Sequence, residues 1–527
     1  MSTAHVVVAG SGIAGSLIAH ALAGAGVQVT VFEKGPAFPY PHARQFREEI
    51  EQLYDNPRYQ LSDDLRQVPT SGTYNKSVDG ERGMVVGGSA THWGGVTPRM
   101  IPSDFQTDAL YGYGADWPLS YEDVEPYYGK AERLLGISGT TEDNPYAPPR
   151  SEAYPLPHFE LSHGDQLLAE RLKEAGIIVH STPQARTRQA YDDRPQCANF
   201  GTCHVCPIGV RYSPNHHLQK AVRSGRCTVH AETSVRRVLV DRSGRATGVL
   251  VQGNEEGTPR EVAADAVVVA AGAIASARLL LLSTSPAHPE GLGNHSGQVG
   301  ANLTFHHIWG GGLRFKEKLF TGRVGPSTAR SFQFLNPETR GHHGGINIGL
   351  DDTADVRWLT QRFNLWNVRD ADQIVDRMRP MPHQRSIMFH SESIPSEGKR
   401  VELSEHTDRF GDPFPHVHYE SNQFDYATFE YAQQLFERIR SAVNPENAWL
   451  TSDPENFDSG AHHMGTCRMA ARPSEGVVDA QGKVFNAEDV YVAGASTFVG
   501  GSGAVHPTLT LAALSLRTAD VLKERLT

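Results

Sequence analysis

The chain has 527 residues, of which 39% are apolar, 21% are charged and 51 are glycine, a profile that excludes a collagen, a coiled coil and a mostly disordered chain. Its 49 Lys and Arg against 60 Asp and Glu give a formal net charge of −11, which offers no electrostatic attraction to nucleic acid or to an anionic membrane. Five cysteines in a chain of this length argue against a secreted fold held by disulfides. We therefore expect a soluble, cytoplasmic protein with a small-molecule partner, no nucleic-acid partner and no membrane partner.

The first 32 residues carry no Lys, Arg, Asp or Glu, and Glu33 is the first charged residue. A signal peptide would begin with a basic region, which is absent. Glycines interrupt the stretch too often for an apolar helix that spans a membrane: Gly10, Gly12, Gly15, Gly24 and Gly26.

A β-α-β unit explains this uncharged stretch better. His5 to Ala9 has the pattern of a buried strand, Ser16 to Ala25 that of an apolar helix, and Val27 to Phe32 that of a second buried strand. The first turn reads Gly-Ser-Gly-Ile-Ala-Gly, a G-x-G-x-x-G pattern, and Glu33 follows about 20 residues later. Such a turn lets backbone N–H groups approach a pyrophosphate, and the acid can accept ribose hydroxyls, so the unit predicts dinucleotide binding without separating FAD from NAD.

Further elements follow along the chain. Ser120 is a candidate N-cap for a helix that extends past Tyr128, and residues 165–175 predict a helix that ends before Gly176. Residues 235–240 and 249–252 predict a hairpin. Buried strands are expected at 267–272, leading into a helix to Leu282, and at 490–494, ahead of a glycine-rich loop and a C-terminal helix from Pro507.

Buried strands at both ends and in the middle of the chain predict an α/β fold in which one domain is assembled from separated segments. We expect a Rossmann-like FAD-binding domain from 1–105, 225–302 and 456–527. The substrate-binding domain, of the α+β class with an antiparallel sheet, would be inserted as 106–224 and 303–455. Whether the protein forms a homo-oligomer stays open, because nothing in the sequence addresses the oligomeric state.

Several segments together resemble the glucose–methanol–choline (GMC) family of FAD oxidoreductases. Besides the front unit they are 87–93 (Gly-Gly-Ser-Ala-Thr-His-Trp), 117–128, 272–276, 400–404, 462–466 and 506–510. The Thr-His-Trp at 91–93 followed by Thr-Pro-Arg at 97–99 is similar to the branch with pyranose oxidases and bacterial glycoside 3-oxidases. The resemblance covers most of the chain, and its order and spacing are more specific than any one segment.

The resemblance implies the site residues. It puts the catalytic base on His462 and the second site residue on His506, with His463 pointing elsewhere. Histidine suits a base that works near neutral pH, and Pro507 would place His506 at the N-terminus of the last helix. Many pyranose oxidases have Asn at the second position, so which histidine is the stronger base stays open. The implied FAD contacts are Gly10, Gly12, Ile13, Ala14, Gly15, Glu33, Lys34, Gly88, Ser89, Thr91, His92, Trp93, Gly94, Gly95, Val235, Ala271, Gly272, Gly494, His506, Pro507 and Thr508.

His92 has two interpretations. The resemblance to fungal pyranose oxidases implies a covalent bond from this histidine to the flavin. Gly94 departs from the Thr that those enzymes have, and a non-covalent contact with the isoalloxazine is the alternative.

Cys197, Cys203 and Cys206 form a C-x5-C-x2-C pattern. Three thiolates could ligate an iron–sulfur cluster, and His204 could join them around zinc. The spacing gives no complete four-ligand set, so we favour thiols that pack in a loop and expect no metal.

The resemblance implies oxidation of a secondary hydroxyl, at C2 or C3 of a pyranose sugar or glycoside, to a ketone. A histidine would take the hydroxyl proton while hydride passes to flavin N5, and O2 or a quinone-like acceptor would reoxidise the flavin. Two alternatives stay open: the catalytic subunit of an electron-transferring sugar dehydrogenase complex, and a lyase of the GMC fold whose flavin takes no electrons.

Overall fold

The structure is a computed structural model, and it describes residues 4–41, 63–74, 76–199, 205–255, 257–325, 327–351, 368–451 and 453–527. Its strands, numbered in chain order, are β1 (His5–Ala9), β2 (Gln28–Phe32), β3 (Thr70–Gly72), β4 (His180–Ser181), β5 (Cys227–His230), β6 (Thr233–Val240), β7 (Ala246–Gly253), β8 (Arg260–Ala263), β9 (Ala266–Val269), β10 (His307–Arg314), β11 (Ala329–Ser331), β12 (Ile346–Asp351), β13 (Gln384–Ser391), β14 (Lys399–Thr407), β15 (Pro413–Tyr419), β16 (Asn447–Leu450) and β17 (Val490–Val492). Its α-helices are α1 (Ile13–Gly24), α2 (Asp63–Arg66), α3 (Thr107–Tyr111), α4 (Tyr121–Leu135), α5 (His163–Glu174), α6 (Asn215–Arg223), α7 (Ala273–Leu282), α8 (Ala371–Met378), α9 (Gln423–Val443) and α10 (Thr508–Leu526).

A parallel sheet of five strands is built from distant parts of the chain, in the order β17-β9-β1-β2-β5. Val6, Val7 and Val8 of β1 are fully buried, because both faces of the sheet are covered. Helices α1 and α10 lie over one face, and the antiparallel sheet β6-β7-β8 lies over the other. The expected α/β fold is therefore confirmed.

Local elements agree with the sequence patterns, with shifted ends. The β-α-β unit is β1-α1-β2, but α1 begins at Ile13, directly after Gly12, and not at Ser16. The predicted hairpin is β6-β7, and β8 extends it by a third strand that the sequence patterns did not predict. The helix predicted from residue 165 is α5, whose N-cap is Ser162.

A second sheet has six antiparallel strands in the order β16-β10-β13-β12-β11-β4. Its strands come from the segments 106–224 and 303–455, and this sheet is the antiparallel layer expected of the substrate domain. Helix α9 packs against α5 beside it. The sequence limits given above for the two domains stay a prediction.

One small sheet joins the two sets of segments. β14 and β15 form an antiparallel hairpin, and β3, from the front of the chain, pairs in parallel with β15. The hairpin also contacts α7, which follows β9 of the parallel sheet. Backbone pairing as well as side-chain packing therefore links the two sets of segments.

Candidate active site

A cavity of about 660 Å³ begins at the carboxyl ends of the parallel strands. Gly10 follows β1, Glu33 follows β2, Ala270 follows β9 and Gly494 lies just beyond β17, and all four line the cavity. Ligands of open α/β sheets bind at this edge. The opposite wall comes from the antiparallel sheet, so the cavity lies between the two layers.

The glycine turn after β1 forms one end of the cavity. Gly10 has φ +104°, which favours glycine. A Cβ on Gly15 would lie 2.0 Å from the carbonyl oxygen of Gly10, so this glycine lets α1 pack against the turn. A Cβ on Gly12 would meet nothing within 4 Å, because Gly12 faces the cavity at the N-terminus of α1. The first turn of α1 carries no acidic side chain, which leaves its N–H groups available to an anion.

Glu33 is held by the same turn. Its Oε2 accepts hydrogen bonds from the backbone N–H of Ser11 at 3.1 Å and from Ser11 Oγ at 2.6 Å, and its Oε1 accepts from Gly35 N–H at 3.1 Å. Burial raises the pKa of Glu33, and these hydrogen bonds oppose the shift. Burial, and to a smaller extent nearby Arg278, lower the pKa of the adjacent Lys34 to about 7.

Most of the residues predicted to contact FAD line this one cavity. Two do not: Gly15 lies beneath the turn, and Thr91 is buried with its Oγ1 donating to Gly88 O at 2.9 Å. The predicted residues in the cavity wall are Gly10, Gly12, Ile13, Ala14, Glu33, Lys34, Gly88, Ser89, His92, Trp93, Gly94, Gly95, Val235, Ala271, Gly272, Gly494, His506, Pro507 and Thr508.

His462 and His506 lie side by side in the same cavity, with ring centroids 5.0 Å apart. Both residues are partly exposed. Burial lowers the pKa of His462 well below its ordinary value, and the nearby His306, His463 and Arg330 lower it further. The pKa of His506 is lowered in the same direction, first by burial and then by Arg330. Both rings are therefore neutral near pH 7, the state in which a histidine can accept a proton.

His463 also lines the cavity, but a carboxylate engages its ring. Its Nε2 lies 2.9 Å from Glu81 Oε2, and its ring stands edge-on to Phe305. Glu81 in turn accepts from Tyr74 OH at 2.8 Å. This neighbour was expected to point elsewhere, and in the structure it is engaged by a carboxylate.

Three buried residues behind His462 and His506 were not predicted as site residues. The ring of His306 lies 5.0 Å from that of His462, and the ring of His390 lies 4.7 Å from that of His506. Arg330 Nη1 lies 3.5 Å from His390 Nδ1. Strands β11 and β13 and the residue before β10 supply these three side chains. No local motif marks them, although a histidine directly before an apolar strand is a signal that could have pointed to His306.

Two family models match the chain, the N-terminal GMC oxidoreductase region over residues 7–308 and the C-terminal GMC oxidoreductase region over residues 395–515. The chain is a GMC oxidoreductase. Members of this family bind FAD, and the chain is accordingly an FAD-binding oxidoreductase.

Similar GMC oxidoreductases act on varied alcohols. Over 99% of this chain, the fructose dehydrogenase large subunit of Gluconobacter japonicus is 28% identical, with 98% of that protein covered. The 2-methyl-1,2-propanediol dehydrogenase of Mycolicibacterium austroafricanum is 28% identical over 99% of this chain and 95% of its own length. The C-glycoside 3-oxidase of Microbacterium trichothecenolyticum is 26% identical over 99% of this chain and 97% of its own length.

Solved structures show the same fold. Pyridoxine 4-oxidase from Mesorbium loti superposes with a TM-score of 0.67 at 19% identity, over 98% of this chain and 99% of that one. An FAD-dependent oxidoreductase from Chaetomium thermophilum superposes with a TM-score of 0.66 at 17% identity, over 99% of both chains.

The residues present fit FAD. Gly12 and the N-terminus of α1 leave open space beside backbone N–H groups, which suits a pyrophosphate, and the carboxylate of Glu33 stands next to them. The same cavity continues to the histidine pair. Residues at the glycine turn would hold the dinucleotide, and FAD would supply a hydride acceptor when bound.

The cysteine segment is only partly described, since Cys203 and His204 lie outside the described residues. Cys197 and Cys206 are free thiols and partly exposed. Nearby, ligand atoms of Asp192, His216 and His217 lie within 4.8 Å of one another. The ammonium of Lys220 pairs with the same Asp192 carboxylate, so the charge of this group is balanced without a metal ion. Within the described ranges, no helix is both long and apolar enough to cross a membrane.

Proposed function

We propose that this GMC oxidoreductase oxidises a secondary hydroxyl, at C2 or C3 of a pyranose sugar or glycoside, to a ketone. The observation that carries the proposal is the pair of neutral histidines, 5.0 Å apart, in the cavity that fits FAD. Relatives named for fructose and for C-glycosides support a carbohydrate substrate. His462 is the proposed base, and His506 is its neighbour at the start of α10.

In this proposal the chain's own residues bind, orient and hold the proton. His462 accepts the hydroxyl proton through a ring nitrogen, and His506 supplies a second polar contact for the substrate oxygen.

The test is anaerobic reduction of the bound flavin by a panel of free sugars, O-glycosides and C-glycosides. At least one of them should bleach the flavin absorption, and His462→Gln should slow this bleaching on the order of 10²-fold while the flavin content stays near that of the unaltered protein. His342→Gln is the matched control, because His342 is exposed and lies outside the cavity wall. Bleaching by no carbohydrate would refute the substrate class.

The electron acceptor is tested in the same experiment. Under air, an oxidase forms peroxide in step with product, whereas a dehydrogenase needs an added quinone. Both oxidases and dehydrogenases occur among the similar proteins. We propose that O2 or a quinone-like compound accepts the electrons, and peroxide yield per product decides between them.

A catalytic subunit of a dehydrogenase complex is the second candidate. Its support is the match to a protein named as a large subunit, together with two free cysteines, Cys197 and Cys206, in one partly exposed segment. Iron analysis of protein purified without oxygen tests this candidate. Stoichiometric iron would favour it, and iron-free protein that still oxidises sugar would exclude a cluster.

His92 lines the cavity, and both of the interpretations given for it are compatible with that position. Its Nδ1 lies 3.3 Å from Thr91 Oγ1. Acid precipitation separates the two: a yellow supernatant means that FAD is not covalently bound, and a yellow pellet that loses its colour in His92→Ala means a covalent bond at this residue.

A further inference from the structure

His306 stands directly behind the proposed base. It is fully buried, just before β10, and its Nδ1 lies 2.9 Å from Nδ1 of His462. On the other side of the ring, its Nε2 lies 2.8 Å from the carbonyl oxygen of Gly501 and 3.2 Å from that of Gly503. His306 therefore connects the ring of His462 to two backbone carbonyls of the loop ahead of α10.

These contacts determine where the protons lie. A carbonyl oxygen only accepts hydrogen bonds, so Nε2 of His306 carries a proton. Burial lowers the pKa of His306 to about 4, so the ring is neutral at pH 7 and its Nδ1 has a lone pair. Two ring nitrogens at 2.9 Å need one proton between them, and that proton must belong to Nδ1 of His462.

The consequence is a single tautomer of His462. A neutral imidazole carries one proton, so a proton on Nδ1 leaves the lone pair on Nε2. Among the described residues Nε2 of His462 has no hydrogen-bond partner, and His462 lines the cavity. Without His306 the ring could take either tautomer, and a proton on Nε2 would block it as a base.

The charged and titratable groups around His462 do not replace this contact. His463 is engaged with Glu81, and His506 lines the cavity beside His462. The Nη1 of Arg330 lies 3.5 Å from Nδ1 of His390. The carboxylate of Glu392 is the acidic group whose charge raises the pKa of His306. The residue that accepts from His462 is thus a neutral ring, where many catalytic histidines have a carboxylate.

We propose that His306 is a positioning residue that holds His462 with its proton on Nδ1 and so leaves Nε2 as the base. This inference rests on the proposed function. In the step, the substrate O–H bond breaks and its proton forms an N–H bond at Nε2, while the O–H electron pair becomes the second bond of the carbonyl. The C–H hydride leaves to FAD, the oxidant of the family's reaction. His462 is then an imidazolium, and its Nδ1–H bond to His306 becomes charge-assisted and stronger.

Two substitutions test whether His306 acts by accepting a hydrogen bond from His462. His306→Leu removes the acceptor, whereas His306→Asn keeps an amide oxygen that can accept from Nδ1 of His462. We expect His306→Leu to slow anaerobic flavin reduction on the order of 10²-fold at unchanged flavin content, and His306→Asn to restore most of the rate. Equal rates in the two variants would overturn the proposal.

The tautomer has its own readout, independent of activity. ¹⁵N NMR of histidine-labelled protein, with the His462 signals identified by their loss in His462→Gln, should show a protonated Nδ1 and an unprotonated Nε2. A protonated Nε2 would overturn the inference even if His306→Leu failed to fold. Conversely, the expected tautomer with an unchanged reduction rate in His462→Gln would refute the base assignment of the proposed function and leave the hydrogen-bond geometry standing.

Discussion

At the scale of single residues, three glycines near the start of the chain have the same type but different surroundings. Gly12 faces open cavity space, and Gly15 lies against the carbonyl of Gly10. Gly24, at the end of α1, has no neighbouring atom within 4 Å of the point that a Cβ would occupy. The glycine turn is local, so sequence spacing alone predicted it. The differences among the three depend on what packs beside them.

These surroundings predict three different results for substitution by alanine. Gly12→Ala should fold but lose bound flavin, because its Cβ enters the space proposed for the pyrophosphate. Gly15→Ala should lose flavin and also about 1–3 kcal/mol of unfolding free energy, because its Cβ would lie 2.0 Å from Gly10 O. Gly24→Ala is the control and should be neutral or stabilising by up to about 1 kcal/mol. The flavin-to-protein ratio and the thermal midpoint measure both effects, and full flavin in Gly12→Ala would contradict the placement of the dinucleotide.

At the scale of secondary-structure elements, the sequence predicts local features better than it predicts contacts between distant segments. The helix predicted from residue 165 is present as α5, although its N-cap is Ser162, whose Oγ accepts from the N–H of Asp165 at 3.2 Å. The same Asp165 carboxylate also accepts from Arg385 at 2.6 Å, although 220 residues separate the two. The order of the six antiparallel strands and the histidines behind the active site are likewise long-range, so no local pattern identifies them.

The ion pair between Asp165 and Arg385 joins α5 to β13, and both side chains are fully buried. Arg385→Met should lower the unfolding free energy by about 3–5 kcal/mol, because it leaves a carboxylate buried without its partner. Arg379→Met is the matched control: Arg379 is 73% exposed and pairs with Asp376, so the change should be within about 0.5 kcal/mol. Urea unfolding followed by circular dichroism measures both, and equal midpoints would show that the buried pair adds no stability.

At the scale of the whole molecule, the chain passes repeatedly between two layers. Buried strands at both ends and in the middle were enough to predict a parallel sheet made of separated segments, because such strands are marked by continuous apolar runs. The pairing of β3 with β15 was not predictable, since β3 is only Thr70–Gly72 and shows no apolar run. The candidate active-site cavity lies between the layers, which explains why its residues come from the front, the middle and the end of the sequence.

This placement holds several buried or partly buried histidines in the neutral form. The pKa of His306 and of His307 is lowered to about 4, and the pKa values of His390, His462 and His506 are lowered well below 6.5, in each case chiefly by burial. In the unfolded chain these rings titrate near the ordinary value of about 6.5, so between the two values the unfolded state binds more protons than the folded state. Their contribution to stability is therefore complete above pH of about 6.5 and is lost as the pH falls towards 4.

We accordingly expect these histidines to leave the unfolding midpoint unchanged above a pH of about 7 and to make it fall steeply below a pH of about 6. At a pH of about 4, the lowered pKa of His306 alone reduces the free energy of unfolding by about 3 kcal/mol, because one pKa unit corresponds to about 1.4 kcal/mol. His306→Asn removes one titrating ring. It should reduce the number of protons taken up on unfolding by about one, so the midpoint should fall less steeply with pH. Thermal unfolding monitored by circular dichroism from a pH of about 8 to about 4.5 measures both curves. A midpoint that stays constant down to a pH of about 5 would contradict the neutral, buried histidines, because carboxylates begin to titrate only below that range.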